Sequence, residues 1–357
     1  MDKLRIGIIG LGGIAVRRPP TSANFALLGL TDTPHTHASV YATMPEVEVV
    51  AGCDIVPDQQ MKFVQIWKDV WPNLRTYGDV RQMFDREKLD IVSICTPSHL
   101  HAQVFVDSCE AGVRAIYCEK PLATSIADVN RMVFASEKHG TITSIAHWTR
   151  WAPETVLAKE AVRNGTIGSV KRIVQTGGGR RAMLFQNGTY YMDTIAHFAD
   201  SDPVEVHGDL DPEFDNYGPR YAGDGGASPA LDPGAGAMIR FANGVRGFYN
   251  FSQGTVDYSE TFVVGDKGWL RFSDVYGLEI AVHDSGTGTF ARTTRKLSRI
   301  ESQGMHAGAR ELVRVLQEGG RTSSPILEAR RSVEMMIGVL QSHARGGIRV
   351  KMPLSDE

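Results

Sequence analysis

The chain has 357 residues, 42% hydrophobic and 22% charged, which excludes a disordered or collagenous polymer and sets two domains as the expectation. Its 38 basic and 41 acidic residues give a net charge of −3, so no basic excess exists to hold a phosphate backbone and nucleic acid is excluded as a partner. Glycine, at 37 residues, exceeds its usual share of about 7% and needs an explanation.

In chain order, the first 147 residues alternate short apolar runs with helix-like stretches. Leu4–Ile9 ends in glycines, and Val47–Cys53 is β-branched and ends in Asp54. Asp90–Thr96 ends in Pro97, Val113–Cys118 ends in Glu119-Lys120-Pro121, and Thr141–Ala146 closes the series. Helical segments lie at His37–Met44, His101–Ala111 and Ile126–His139, the last starting after Thr124 or Ser125 and stopping at Gly140. Buried strands alternating with helices predict a parallel, doubly wound α/β sheet.

After His147 the pattern changes. A helical stretch, Glu154–Asn164, leads to strands at Val170–Gln175, Ala237–Phe241, Val245–Phe251, Glu260–Val264, Trp269–Phe272 and Leu278–His283. Asn243-Gly244 and Asp266-Lys267-Gly268 are turn signals between strand pairs. Strands without intervening helices predict an α+β domain with a large, mostly antiparallel open sheet. Two helices close the chain: Ala309–Gln317 with Leu312, Val313 and Leu316 on one face, and Pro325–Ala344 with Val333, Met336, Ile337 and Leu340. Residues 207–236, rich in Gly, Pro and Asp, are too long for a plain connection and read as a mobile loop, a lid or an oligomer arm. The expected domains are therefore 1–147 and 148–357.

Cys53, Cys95, Cys109 and Cys118 form no CxxC and have no zinc spacing with histidine, so buried reduced thiols are expected, with no disulfide framework and no metal site. No apolar run reaches the ~20 residues of a membrane span. Lys3 and Arg5 before Ile6–Val16 imitate a signal peptide, but Arg17-Arg18-Pro19-Pro20 stands where a small-residue cleavage site belongs. A cytoplasmic protein without a membrane partner is expected.

Gly10-Leu11-Gly12-Gly13-Ile14-Ala15 follows the first strand and fits G-x-G-x-x-A. One glycine permits the tight turn, the next lets backbone N–H groups approach a pyrophosphate, and the small third residue lets helix and strand pack closely. The helix N-terminus adds partial positive charge for the phosphates. The acidic ribose partner belongs about 20 residues later, where Asp32 stands. Asp54 ends a far better β-branched strand and is preferred, which makes residues 17–36 an insertion; Asp32 is the competing assignment. A carboxylate there accepts hydrogen bonds from both ribose hydroxyls and repels a 2′-phosphate, favouring NAD over NADP.

Ligands of doubly wound sheets sit beyond the carboxyl ends of the strands, where Thr96–His101 and Glu119-Lys120-Pro121 are both placed. A lysine beside a nicotinamide can hydrogen-bond a substrate hydroxyl and stabilise developing alkoxide during hydride transfer. With Gly10–Ala15, Thr96-Pro97…His101, Glu119-Lys120-Pro121 and Asp193-Thr-Ile-Ala-His197, the sequence resembles the glucose–fructose oxidoreductase/inositol dehydrogenase/rhizopine-catabolism (Gfo/Idh/MocA) family of NAD(P)-dependent oxidoreductases. Val263–Arg271 and the closing helices also fit, so nearly the whole chain is covered, with 17–36 and 207–236 peculiar to it.

The resemblance implies a Rossmann domain followed by an open antiparallel sheet that covers the nicotinamide, and a sugar, cyclitol or related polyol as substrate. It implies Lys120 and His197 as acid–base groups with Asp193 beside them. Asp193 and His197 are four apart and so share one face of a helix; histidine suits proton transfer because its pKa lies near working pH. The cofactor-binding set is then Gly10, Gly12, Gly13, Ile14, Ala15, Asp54, Thr96, Pro97, His101 and Glu119. The substrate-binding set is Lys120, Arg150, Tyr191, Asp193 and His197.

The chain departs from the family where Gln186–Met192 replaces a Gly-rich run and Ile195 replaces a glycine, which alters the substrate pocket. Tyr190 and Tyr191 can stack on a sugar face, and Arg180-Arg181 can read an acidic substrate. His35, His37, His99 and His147 have no expected role beyond turns or packing. The expected activity is NAD-dependent hydride transfer at a secondary alcohol. An NAD-dependent glycosidase, distinguished by sugar release without net NADH, and a non-catalytic NAD-binding regulator are the alternatives. A homo-oligomer, dimer or tetramer, is expected from the exposed sheet face and the 207–236 segment.

Overall fold

The computed structural model describes residues 3–18, 34–223, 225, 228–273, 276–295 and 304–355. The chain divides into two compact units, one of Met1–Ala123, Asp128–Trp151 and Gln303–Leu327, the other of Thr124–Ala127, Ala152–Ser302 and Glu328–Glu357.

The first unit is built on a six-stranded sheet of β1 (Leu4–Ile9), β2 (Val47–Cys53), β3 (Arg75–Tyr77), β4 (Ile91–Ile94), β5 (Ala115–Cys118) and β6 (Ile142–Ile145). Its strand order is β3-β2-β1-β4-β5-β6 and every pairing is parallel. Strands covered on both faces need continuous apolar runs; accordingly Ile6, Ile8, Val49, Ile91, Val92, Ala115 and Ile116 are fully buried. The helices of this unit are α1 (Gly13–Val16), α2 (His37–Tyr41), α3 (Pro57–Trp67), α4 (Val80–Arg86), α5 (His101–Glu110), α6 (Ile126–His139) and, far along the chain, α9 (Gly304–Glu318). Local chemistry starts several of them. Thr36 closes a capping box with Ser39 before α2, Pro57 opens α3, and the Asp79 carboxylate accepts from the Gln82 amide at 2.9 Å before α4. Leu312 and Val313 of α9 join the same core as Ile6, Tyr117 and Ala146, so this helix, drawn from the expected second domain, packs in the first unit.

The second unit is a nine-stranded sheet of order β14-β13-β12-β11-β7-β10-β9-β8-β15. Its strands are β7 (Val170–Gly178), β8 (Pro203–Leu210), β9 (Ala235–Phe241), β10 (Arg246–Ser252), β11 (Tyr258–Gly265), β12 (Gly268–Ser273), β13 (Gly277–Asp284), β14 (Thr289–Arg295) and β15 (Val350–Lys351). All pairings are antiparallel except β7 with β10, in keeping with the mostly antiparallel sheet read from the sequence. Helices α7 (Pro153–Arg163), α8 (Gly188–Ala199) and α10 (Ile326–Ala344) complete the unit. Val333, Met336, Ile337 and Leu340 of α10 are buried, as their spacing predicts.

The expected irregular segment 207–236 is shorter than its composition suggests, because residues 207–210 finish β8 and 235–236 begin β9. Two of its described residues are tied down. Asp232, 1% exposed, accepts from the backbone amides of Phe185 at 3.0 Å and Gln186 at 2.8 Å, and its carbonyl accepts from the Gln253 side chain at 2.7 Å. Tyr221 stacks on Phe185 with ring centroids 4.1 Å apart. These bonds oppose the reading of the whole stretch as a loose arm. The core of the insertion 17–36 lies outside the described residues.

Candidate dinucleotide and catalytic sites

The glycine turn sits at the carboxyl end of β1, where the strand order reverses between β1 and β4 and doubly wound sheets place their ligands. Gly10 has φ +84°, and a Cβ there would lie 2.6 Å from the Thr96 amide nitrogen and 2.7 Å from the Cys95 carbonyl. Only glycine meets both demands, since an L-residue is strained at that φ and backbone cannot give way. Gly12 differs: its φ of −72° and ψ of −174° suit any residue, and a Cβ would meet no atom of the described residues within 4 Å. Nothing among the described residues requires that glycine. The open cradle it leaves fits a pyrophosphate approaching the backbone, and the Thr96 hydroxyl at the same edge is buried without a hydrogen-bond partner among the described residues.

The helix that follows the glycine turn is short. α1 is the single turn Gly13–Val16, after which Arg17 turns away in extended conformation. A long helix's dipole is therefore not available to the phosphates. A cation stands there instead: a Cβ on Gly13 would lie 2.9 Å from the Arg17 guanidinium. Sequence reasoning passed over Arg17, because it was counted with the insertion.

Asp54 ends β2, which pairs directly with β1. Its Oδ2 accepts from the Leu11 amide at 2.8 Å and its Oδ1 from the Val56 amide at 2.9 Å, so the carboxylate is fixed against the glycine turn. Asp32, the competing assignment, lies outside the described residues.

Two further turns meet at the same edge of the sheet. His101, 1% exposed, places Nδ1 2.9 Å from the Pro121 carbonyl and Nε2 2.9 Å from the Thr96 carbonyl. It staples the turn after β4 to the turn after β5, with both ring nitrogens engaged by protein. Burial pushes its pKa down, against the pull of the carbonyls and of Glu119. Glu119 points inward as well: Oε1 lies 3.1 Å from His37 Nε2, and Oε2 accepts from the Lys120 amide at 3.2 Å. Burial drives the Glu119 carboxyl up, but the His37 hydrogen bond and charge, with Lys120, outweigh it and hold it below the usual carboxylate range. Lys120 itself is half-buried at the carboxyl end of β5, and Ile14 at the glycine turn is exposed. Pro97 is exposed at the start of its turn.

Arg150 is 4% exposed, and one guanidinium nitrogen donates to the Ser323 carbonyl at 2.7 Å within the first unit. In the second unit, Asp193 and His197 lie one turn apart on α8, with Asp193 fully buried and His197 half-buried. Lys159, also buried, donates from Nζ to the His197 carbonyl at 2.5 Å and so fixes the end of that helix. Tyr191 stacks on Phe251 with centroids 4.1 Å apart and planes 15° apart. Arg180 and Arg181 are exposed. All four cysteines are buried free thiols, as expected.

A glycine turn at the switch point of a parallel 3-2-1-4-5-6 sheet, with an acid at the end of the neighbouring strand, defines a Rossmann dinucleotide-binding protein. Comparison with known sequences narrows this. The profile of an oxidoreductase family with an NAD-binding Rossmann fold matches residues 4–147, and that of the GFO/IDH/MocA C-terminal domain matches residues 155–271. The chain belongs to the Gfo/Idh/MocA family of oxidoreductases.

Over 287 residues it is 23% identical to the myo-inositol 2-dehydrogenase of Thermotoga maritima, covering 79% of this chain and 78% of that one. Over 167 residues it is 28% identical to the D-glucoside 3-dehydrogenase of Escherichia coli K12, covering 47% of this chain and only 41% of that relative. A levoglucosan dehydrogenase in complex with NADH and levoglucosan has the same fold, with a TM-score of 0.75 at 18% identity over 99% of this chain and 100% of that one. No described helix is long and apolar enough to cross a membrane.

Proposed function

We propose that the protein is an NAD-dependent dehydrogenase acting on a secondary alcohol of a sugar, cyclitol or related polyol. The observation that carries this reading is the placement of Lys120 at the carboxyl end of β5, on the sheet edge that holds the glycine turn and Asp54. The names of the relatives, which act on inositol, a glucoside and levoglucosan, support the substrate class. Residues 1–147 would hold the dinucleotide and 148–357 the substrate and the oligomer contacts. Buried free thiols support a cytoplasmic protein.

A bound nicotinamide supplies the hydride acceptor. The chain supplies the rest: Lys120 Nζ donates to the alcohol oxygen and stabilises alkoxide character, while His197 takes the hydroxyl proton and Asp193 orients the histidine. Gly10, Gly12, Gly13, Ile14 and Ala15 form the pyrophosphate turn, with Arg17 adding charge. Asp54 accepts from the ribose hydroxyls and disfavours a 2′-phosphate, so NAD is preferred to NADP. Thr96 and Pro97 would help hold the dinucleotide, while His101 and Glu119 hold the two turns. Arg150 and Tyr191 complete the substrate set.

The test is a panel of polyols, cyclitols and sugars assayed for NADH formation, with release of aglycone measured in parallel. NADH formed in proportion to substrate supports the reading. Sugar release without net NADH overturns it in favour of a glycosidase. NAD binding with no turnover of any panel member overturns it in favour of a regulator.

A further inference from the structure

We propose that His37 is a positioning residue for Lys120: through a buried hydrogen bond to Glu119, it fixes the backbone from which the lysine side chain springs. The proposal rests on the reading of Lys120 as the acid–base lysine. His37 opens α2, immediately after the insertion 17–36, and its imidazole is 1% exposed. From it runs a chain of contacts through three elements. Tyr41 Oη of α2 lies 2.6 Å from Ser93 Oγ of β4, and Ser93 Oγ lies 3.0 Å from His37 Nδ1. His37 Nε2 then reaches Glu119 Oε1 at 3.1 Å, and Glu119 Oε2 accepts from the Lys120 amide at 3.2 Å.

The chemistry fixes the direction of the central bond. Glu119 is held as the carboxylate and can only accept, so His37 Nε2 carries the proton it shares. At the other side of the ring the Ser93 hydroxyl bridges His37 Nδ1 and the Tyr41 phenol, which burial keeps protonated. Among the described residues, the titratable groups facing Glu119 are His37 on α2, Cys95 after β4, Cys118 at the end of β5, Lys120 in the same turn, and His101 on α5. Burial keeps both thiols protonated and pushes the His101 pKa down. His37, by hydrogen bond and charge, and the neighbouring Lys120 therefore compensate the buried carboxylate. A core without a task here would be served as well by apolar side chains of the same volume. This one instead ties one carboxylate oxygen to His37 and the other to the backbone N–H of the reactive lysine.

A misplacement of about 1 Å at a reacting group can cost about 100-fold in rate. His37→Phe keeps the ring and removes the donor; it should lower kcat about 10- to 100-fold with the Kd for NAD within about threefold of wild type. Losing its partner raises the Glu119 carboxyl, so the acid limb of the kcat profile should move to higher pH. Glu119→Gln should lower kcat comparably, and the double variant should lose no more than Glu119→Gln alone. His37→Gln presents an amide N–H where Nε2 stood and should restore most of the activity, whereas His37→Asn, whose amide ends at the Nδ1 position, should not.

That last pair decides the matter even if the phenylalanine variant does not fold. Equal activities of His37→Gln and His37→Asn, multiplicative losses in the double variant, or a change confined to the KM for NAD overturn the proposal. Lys120→Ala is the control. If it is inert while those outcomes appear, only the role of His37 falls; if it still turns over, the reading of Lys120 falls with it.

Discussion

Gly10 and Gly12 stand two residues apart in one turn, and the structure gives them opposite reasons for being glycine. At Gly10 an alanine would have to hold φ +84°, with its Cβ 2.6 Å from the Thr96 nitrogen and 2.7 Å from the Cys95 carbonyl. The left-handed conformation costs about 1–2 kcal/mol and overpacking against backbone another 1–3, so Gly10→Ala should lose about 2–5 kcal/mol. At roughly 2 °C per kcal/mol, the unfolding midpoint of the apo protein should fall by about 4–10 °C. At Gly12 the backbone is already extended and the added methyl meets nothing among the described residues within 4 Å.

Gly12→Ala should therefore leave the apo protein as stable or stabilise it by about 0.4–1 kcal/mol through a stiffer unfolded chain. Its cost should appear with the cofactor. A methyl standing where the pyrophosphate approaches should weaken NAD at least about tenfold, or about 1.4 kcal/mol. Differential scanning fluorimetry without NAD and titration calorimetry with it separate the two. If Gly12→Ala destabilises the apo protein as much as Gly10→Ala, or binds NAD like wild type, the reasoning about the cradle fails.

Other outcomes follow from the same contacts. Asp54→Ala removes the acceptor of the Leu11 and Val56 amides and should both raise the KM for NAD and narrow its preference over NADP; if Asp32→Ala does this instead, the ribose assignment is wrong. Lys120→Ala should abolish turnover with NAD affinity nearly intact by fluorescence titration. Asp232→Ala leaves the Phe185 and Gln186 amides without their acceptor and should cost about 1–3 kcal/mol for each, read by urea unfolding. Burial holds the Cys53 thiol up at about 12 and drives Cys95 and Cys118 well above their ordinary range, so the native protein at pH 8 should show no fast thiol toward a disulfide reagent, and denaturation should release four.

Much of this was legible in the residues because apolar patterning and burial coincide. Leu4–Ile9, Val47–Cys53 and Ile126–His139 have the limits their composition suggests, and the glycine turn falls between the first strand and its helix. Where the pattern weakens, elements were missed. β14, Thr-Phe-Ala-Arg-Thr-Thr-Arg, is exposed throughout as an edge strand and so carries no inward face to read. In β8 one inward position is Gly208, with Val339 of α10 filling the space 3.0 Å from where its Cβ would be, which hides the alternation. β3 is three residues long with one buried.

The candidate site followed the same rule. Residues in motifs could be named, whereas His37, Ser93 and Lys159 have partners distant in sequence. Glu119 lies 82 positions from His37, a pairing that no local spacing announces.

The hydroxyl of Thr36 donates to the carbonyl of Arg17 at 2.6 Å, so the chain leaves the cofactor turn and re-enters it at one place. A detour with joined ends can change length without pulling on either flank, because doubling such a loop adds only about 0.6 kcal/mol of closure entropy. This clasp makes the interval between Arg17 and Thr36 a natural graft point, where a reporter peptide or a recognition module could be spliced beside the dinucleotide pocket. It also suggests how a shared scaffold could acquire a segment of its own at that spot while β1 and β2 remained in register.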